Sequence, residues 1–80
     1  MSNIDLEKLV VIPTYNEREN ITNILHAIFN LGEGFHVLVI DDSSPDGTAQ
    51  IVKNLQLKFP RQLFIEEIIG KLGLVTAYIY

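Results

Sequence analysis

One stretch constrains this chain more than any other. His36-Val37-Leu38-Val39-Ile40 runs straight into Asp41-Asp42, and Ser43-Ser44-Pro45-Asp46-Gly47-Thr48 follows. An apolar run dominated by Val and Ile, with no polar alternation, predicts a parallel strand buried on both faces. Two carboxylates where such a strand emerges cannot both join the core, because burying an unpaired charge costs several kcal/mol. The pair therefore marks the carboxyl end of a strand, which is where open α/β sheets bind ligands. Asp42, the outer residue, is the candidate to meet a ligand, and Asp41 is expected to accept backbone amides at the turn.

The neighbouring segments supply the rest of an α/β unit. Leu9-Val10-Val11-Ile12 reads as a buried first strand that ends at Pro13, which has no amide for a ladder. Pro13-Thr14-Tyr15-Asn16-Glu17 is then a loop at that strand's carboxyl end, with Asn16 and Glu19 at capping-box spacing. Ile21, Ile24, Leu25, Ile28 and Phe29 form a helical stripe, stopped by Asn30-Leu31-Gly32. The second strand spans Phe35 to Ile40. A second helix starts between Ser44 and Thr48, capped by Ser44 with Pro45 at the first helical position or by Asp46 one step later. Its inner stripe is Thr48, Val52, Leu55 and Phe59, beside Ile51, and Pro60 ends it. Gln62 to Glu66 is a shorter third strand near a sheet edge. Gly70-Lys71-Leu72-Gly73 is a glycine loop, and Leu74 to Tyr80 reads as the opening of a third helix.

Strand-helix-strand-helix-strand is the βαβαβ half of a doubly wound, Rossmann-like sheet with right-handed crossovers. In such a half the first strand normally lies inside the sheet. Residues 1–80 are therefore expected to be one partial domain, the front of something longer. The first strand would be left as an apolar edge open to self-association.

Bulk composition narrows the partners. A net charge of −4 argues against a nucleic-acid or anionic-membrane surface. No cysteine is present, so there is neither a disulfide framework nor a thiolate metal site, and a reducing cytoplasm is the default compartment. Met1 to Asp5 is polar and acidic, unlike a signal peptide. The longest apolar runs are far shorter than the roughly 18 residues of a membrane span. A core is compositionally feasible at 48% hydrophobic residues, although a chain this short buries only about 60% of its unfolded surface.

The candidate chemistry lies at the strand ends. A carboxylate presents two acceptor oxygens, matching a ring N–H or a paired N–H and NH₂ edge of a nucleobase, and Asp42 suits that role. Tyr15 would flank the base, and Glu17 would bind a ribose hydroxyl or base amine. The same residues also read as an acidic turn, a helix cap and a surface aromatic. Gly70-Lys71-Leu72-Gly73 lacks P-loop spacing, yet a helix start carrying a lysine can hold a phosphate. His26, on the outer side of the first helix, and His36, at a strand start, read as structural or solvent-facing, with no second ligand spaced for a metal.

Taken together, Val-Ile-Pro-Thr-Tyr-Asn-Glu-Arg-Glu-Asn-Ile, Val-Ile-Asp-Asp-Ser-Ser-Pro-Asp-Gly-Thr and Gly-Lys-Leu-Gly-Leu resemble the family 2 glycosyltransferases of GT-A fold. The branch they are most similar to is the dolichyl- or polyprenyl-phosphate mannosyltransferases, and the resemblance spans nearly all of residues 9–79. It implies a nucleotide-sugar donor, usually GDP-mannose with a UDP-sugar as the variant, and a polyprenyl phosphate acceptor. It also implies inversion at the anomeric carbon and a cytoplasmic, membrane-peripheral location for the full-length enzyme. By that similarity Pro13, Tyr15, Glu17 and Asp42 would line the nucleoside pocket, with Lys71 near the base or diphosphate. The chain departs from the family at Ile68, where an Arg is usual, and at Val75, where a Gly is usual. The family's divalent cation, Mg²⁺ or Mn²⁺, is held by an Asp-x-Asp motif that this chain lacks. Residues 1–80 alone are thus expected to recognise a nucleotide and not to transfer sugar. The rival readings are a non-catalytic nucleotide-binding or structural remnant, and a receiver-like signalling module. Receivers, however, place their acidic pair after the first strand.

Overall fold

A computed structural model of the chain describes residues 8–69. The elements run β1 (Leu9–Thr14), α1 (Ile21–Phe29), β2 (His36–Asp41), α2 (Thr48–Leu55) and β3 (Leu63–Glu67). The sheet has the order β1-β2-β3 and both pairings are parallel, so β2 is central and β1 and β3 are its edges among the described residues. This is the Rossmann-like α/β arrangement that the βαβαβ pattern predicts. The lead-in 1–7, the Gly70-Lys71-Leu72-Gly73 loop and the helix expected from Leu74, with Val75, Tyr78 and Tyr80, lie outside the described residues.

The core lies between the sheet and both helices. Ile21 and Leu25 of α1, Val52 of α2, Val37 and Val39 of β2 and Leu63 of β3 are buried together, with Val10, Ile12 and Ile65 packed against them. Ile24, expected in the inner stripe, is instead exposed. The expectation that β2 is buried on both faces holds at Ile40, 4% exposed on the face away from the helices, and less completely at Leu38. β1→β2 and β2→β3 step the same way across the sheet, so right-handed crossovers put both helices on one side. Strand alternation turns Val11, Leu38 and Phe64, which are register partners, to the opposite side, where all three are only partly buried.

Several boundaries differ from expectation for physical reasons. β1 does not stop before Pro13: Pro13 stays in register with Ile40, and Thr14 with Asp41. A proline is tolerated there because, among the described residues, β1 is an edge strand and one side of its ladder has no partner. α1 begins at Ile21 with Asn20 at its N-cap, and no side chain makes a cap hydrogen bond. The Asn16/Glu19 box does not form, because Asn16 takes a left-handed φ of 57°. The Glu17 carbonyl accepts the amides of Asn20 and Ile21 at 2.9 and 2.8 Å in its place. The Gly32 stop holds: with φ 71° it turns the chain out of α1, its amide donating to the Phe29 carbonyl.

α2 is shorter than the stripe to Phe59 suggests, and the turn Gln56–Phe59 continues beyond Leu55. Phe59 still packs inward, stacking on Phe29 at a centroid distance of 4.3 Å. His26 meets the same ring edge-on at 5.6 Å, and its Nε2 is buried without a hydrogen-bond partner among the described residues. His26 is therefore a packing residue and does not lie on the outer side of α1. His36 Nδ1 is likewise buried and unpartnered.

Candidate functional site

Parallel pairing brings the carboxyl ends of all three strands to one rim. Thr14 is the register partner of Asp41, and Asp41 of Glu67. Beyond the strands the stitching continues: the Asp42 amide donates to the Thr14 carbonyl at 3.1 Å, and the Ile68 amide to the Asp41 carbonyl at 2.8 Å. Tyr15, Asp42 and Ile68 thus leave neighbouring strand ends side by side. Ser43, at φ 52°, closes the corner by donating its hydroxyl to the Ile68 carbonyl at 2.8 Å.

The two carboxylates divide as burial cost requires. Asp41 is completely buried. Its Oδ1 accepts the Thr14 and Ser44 hydroxyls, both at 2.6 Å, and its Oδ2 accepts the Ser44 amide at 2.9 Å. Those charge-assisted bonds replace the lost hydration. Asp41 accepts one backbone amide as expected, but most of its partners are hydroxyls. Asp42 is only partly buried at the rim.

The sequence-derived set falls as follows. Pro13 is an exposed residue within β1, Tyr15 is 56% exposed, and Glu17 is half-buried and accepts the Asn20 amide side chain at 3.3 Å. With Asp42 these four are brought to the β1–β2 end of the rim. Lys71 lies outside the described residues.

Three residues hold this corner in roles that the sequence reading did not give them: Thr14, Ser44 and Thr48. Thr14 is signalled only by its register opposite Asp41. Ser44 does not cap α2; its hydroxyl accepts the Asn16 amide at 2.8 Å while donating to Asp41. Gly47, at φ 89°, occupies the N-cap position. Asp46 supplies the capping acceptor from one residue earlier, its Oδ1 taking the Thr48 amide at 3.0 Å and the Thr48 hydroxyl. That hydroxyl is the main reason the Asp46 carboxyl lies below the ordinary carboxylate range; desolvation opposes it, and the Arg18 and Thr48 amides and the Arg18 charge reinforce it.

No three His, Cys, Asp or Glu side chains among the described residues converge as a metal-binding group. Asp41, the most buried carboxylate, has its lone pairs directed at Thr14 and Ser44. The described part of the corner does not fit a divalent cation. Nor is any described helix long and apolar enough to cross a membrane.

This rim of paired β-ends carrying an acidic corner also has sequence relatives. Residues 9–80 match glycosyl transferase family 2, and the chain belongs to that family, whose fold is GT-A. The chain is 42% identical over 71 residues, 89% of its length, to the polyprenol monophosphomannose synthase of Mycolicibacterium smegmatis. Over 53 residues, 64% of its length, it is 43% identical to the dolichol-phosphate mannosyltransferase of Pyrococcus furiosus. It spans 27% of the first relative and 15% of the second. No solved structure matches it significantly.

Proposed function

We propose that this chain is the nucleotide-recognising part of a glycosyltransferase that moves mannose from GDP-mannose to a polyprenyl phosphate, with inversion at the anomeric carbon. The observation that carries the reading is the adjacency of the β1 and β2 ends, fixed by the hydrogen bond from the Asp42 amide to the Thr14 carbonyl. It sets an exposed aromatic ring, Tyr15, beside two rim carboxylates, Asp42 and Glu17. A carboxylate at Asp42 accepts ring N–H and exocyclic NH₂ donors of guanine in a paired geometry, or the single imide N–H of uracil. Tyr15 covers a base face, Pro13 bounds the pocket and Glu17 takes a ribose hydroxyl. Lys71 holds the base edge or the diphosphate. The names of the two relatives support mannose as the sugar and a polyprenyl phosphate as the acceptor.

On this reading the whole enzyme works at the cytoplasmic side of a membrane and takes Mg²⁺ or Mn²⁺ through residues other than those described. Residues 1–80 by themselves bind nucleotide and transfer no sugar. Calorimetric titration with GDP, UDP and GDP-mannose tests the reading. GDP is expected to bind the chain and to be lost in Asp42→Ala. Equal binding by that variant, or none by the parent chain, overturns it.

A further inference from the structure

Three consecutive amides of the β1–α1 loop point to side chains of the β2–α2 loop and of the first residue of α2. Asn16 donates to Ser44 Oγ at 2.8 Å, Glu17 to Thr48 Oγ1 at 3.0 Å, and Arg18 to Asp46 Oδ2 at 3.1 Å. The Arg18 guanidinium returns to the Asp46 carbonyl at 3.1 Å. A left-handed residue among right-handed ones is the backbone form that turns successive amides toward one concavity, and such concavities bind anions. Here Asn16 is the left-handed residue, and the chain meets the three amides with its own carboxylate and two hydroxyls.

The donors are allotted without conflict. The Ser44 proton goes to Asp41 and the Thr48 proton to Asp46, which leaves a lone pair on each hydroxyl for an incoming amide. Removing either hydroxyl therefore breaks two links at once. None of these three bonds uses the side chain of Tyr15 or Glu17. This clip holds the backbone on the Asn16–Arg18 side of Tyr15, whose ring stays exposed at the rim.

We infer that Thr48 and Asp46 are positioning residues for the nucleoside pocket: through the amides of Glu17 and Arg18 they set where Tyr15 and Glu17 stand relative to Asp42. This role rests on the nucleotide reading above. A loop already held in its bound form loses less freedom when ligand arrives, and affinity gains accordingly.

The test compares Thr48→Val, which keeps shape and loses the hydroxyl, with Thr48→Ser, which keeps the hydroxyl. Both are made in the 80-residue chain and read by amide hydrogen exchange and by GDP calorimetry. In the parent chain the Glu17 and Arg18 amides are protected and GDP binds. Thr48→Val is expected to lose Glu17 protection while the Val39 amide stays protected, and to bind GDP about tenfold more weakly, the size that loss of one or two such bonds gives. Thr48→Ser is expected to keep both properties. Unchanged GDP affinity in a Thr48→Val chain with an unprotected Glu17 amide overturns the inference, as does equal weakening in Thr48→Ser. A parent chain with protected amides that binds no GDP instead removes the nucleotide reading, and this role with it.

Discussion

The Thr14 hydroxyl donates to Asp41 Oδ1 at 2.6 Å, joining two residues 27 apart in sequence and both buried. Each is the last residue of its strand, so one bond locks the register of β1 on β2 where the ligand-facing rim begins. Replacing Thr14 by Val keeps the shape and leaves a buried carboxylate oxygen one donor short. Thr14→Val is expected to lower stability by about 1–3 kcal/mol, and Thr14→Ser by much less. Urea unfolding of the three proteins measures this; equal midpoints for Val and Thr would show that the bond does not hold the rim.

Asp46 gives the fold a pH signature. Its folded pKa is lowered from an ordinary value of 3.8, chiefly by the Thr48 hydroxyl. A depressed carboxylate stabilises the fold above its unfolded pKa, and the contribution is lost as pH falls through the folded pKa. The stability difference between the parent chain and Asp46→Asn is therefore expected at neutral pH and should shrink as pH falls below 3.8. Denaturation midpoints across that range check it. A difference that stays constant in acid would mean that the carboxylate charge is not what the clip uses.

Gly47 separates backbone strain from crowding. Its φ is 89°, and a Cβ built there would meet nothing nearer than Arg18 Nη1 at 3.7 Å. Space is available, so the cost of Gly47→Ala comes from the left-handed backbone, about 1–2 kcal/mol. Gly47→Asn should cost less, because Asn visits that region more readily. Thermal unfolding that ranks Asn no better than Ala would contradict this.

We propose that the chain self-associates through the β1 edge, whose outer ladder has no partner among the described residues. Size-exclusion chromatography over a wide concentration range is expected to show growth toward larger species. A well-folded monomer at every concentration would exclude pairing through that edge.

Local periodicity made much of this fold legible. The helical spacing of Ile21 and Leu25 announced α1, and the unbroken apolar run Val37 to Ile40 announced a parallel strand. The burial cost of charge correctly separated Asp41 from Asp42. What stayed hidden depends on partners remote in sequence. Asn16 and Glu19 imitate a local cap, yet the amides there are satisfied by Ser44, Thr48 and Asp46 roughly thirty residues on. Pro13 looks like a stop unless β1 is known to lie at an edge. That Leu38 faces away from both helices follows from crossover handedness, which no window of residues records.

The strand order has a kinetic corollary. Among the described strands β2 alone is gripped on two sides, so this sheet unravels from its flanks, and Val37 to Ile40 should be the last of its amides to exchange with solvent. Shedding β1 means freeing Asn16, Glu17 and Arg18 from Ser44, Thr48 and Asp46 in the same event. The rim is then made or unmade as one cooperative unit: a molecule that has let go of Tyr15 has also loosened the ground on which Asp42 stands.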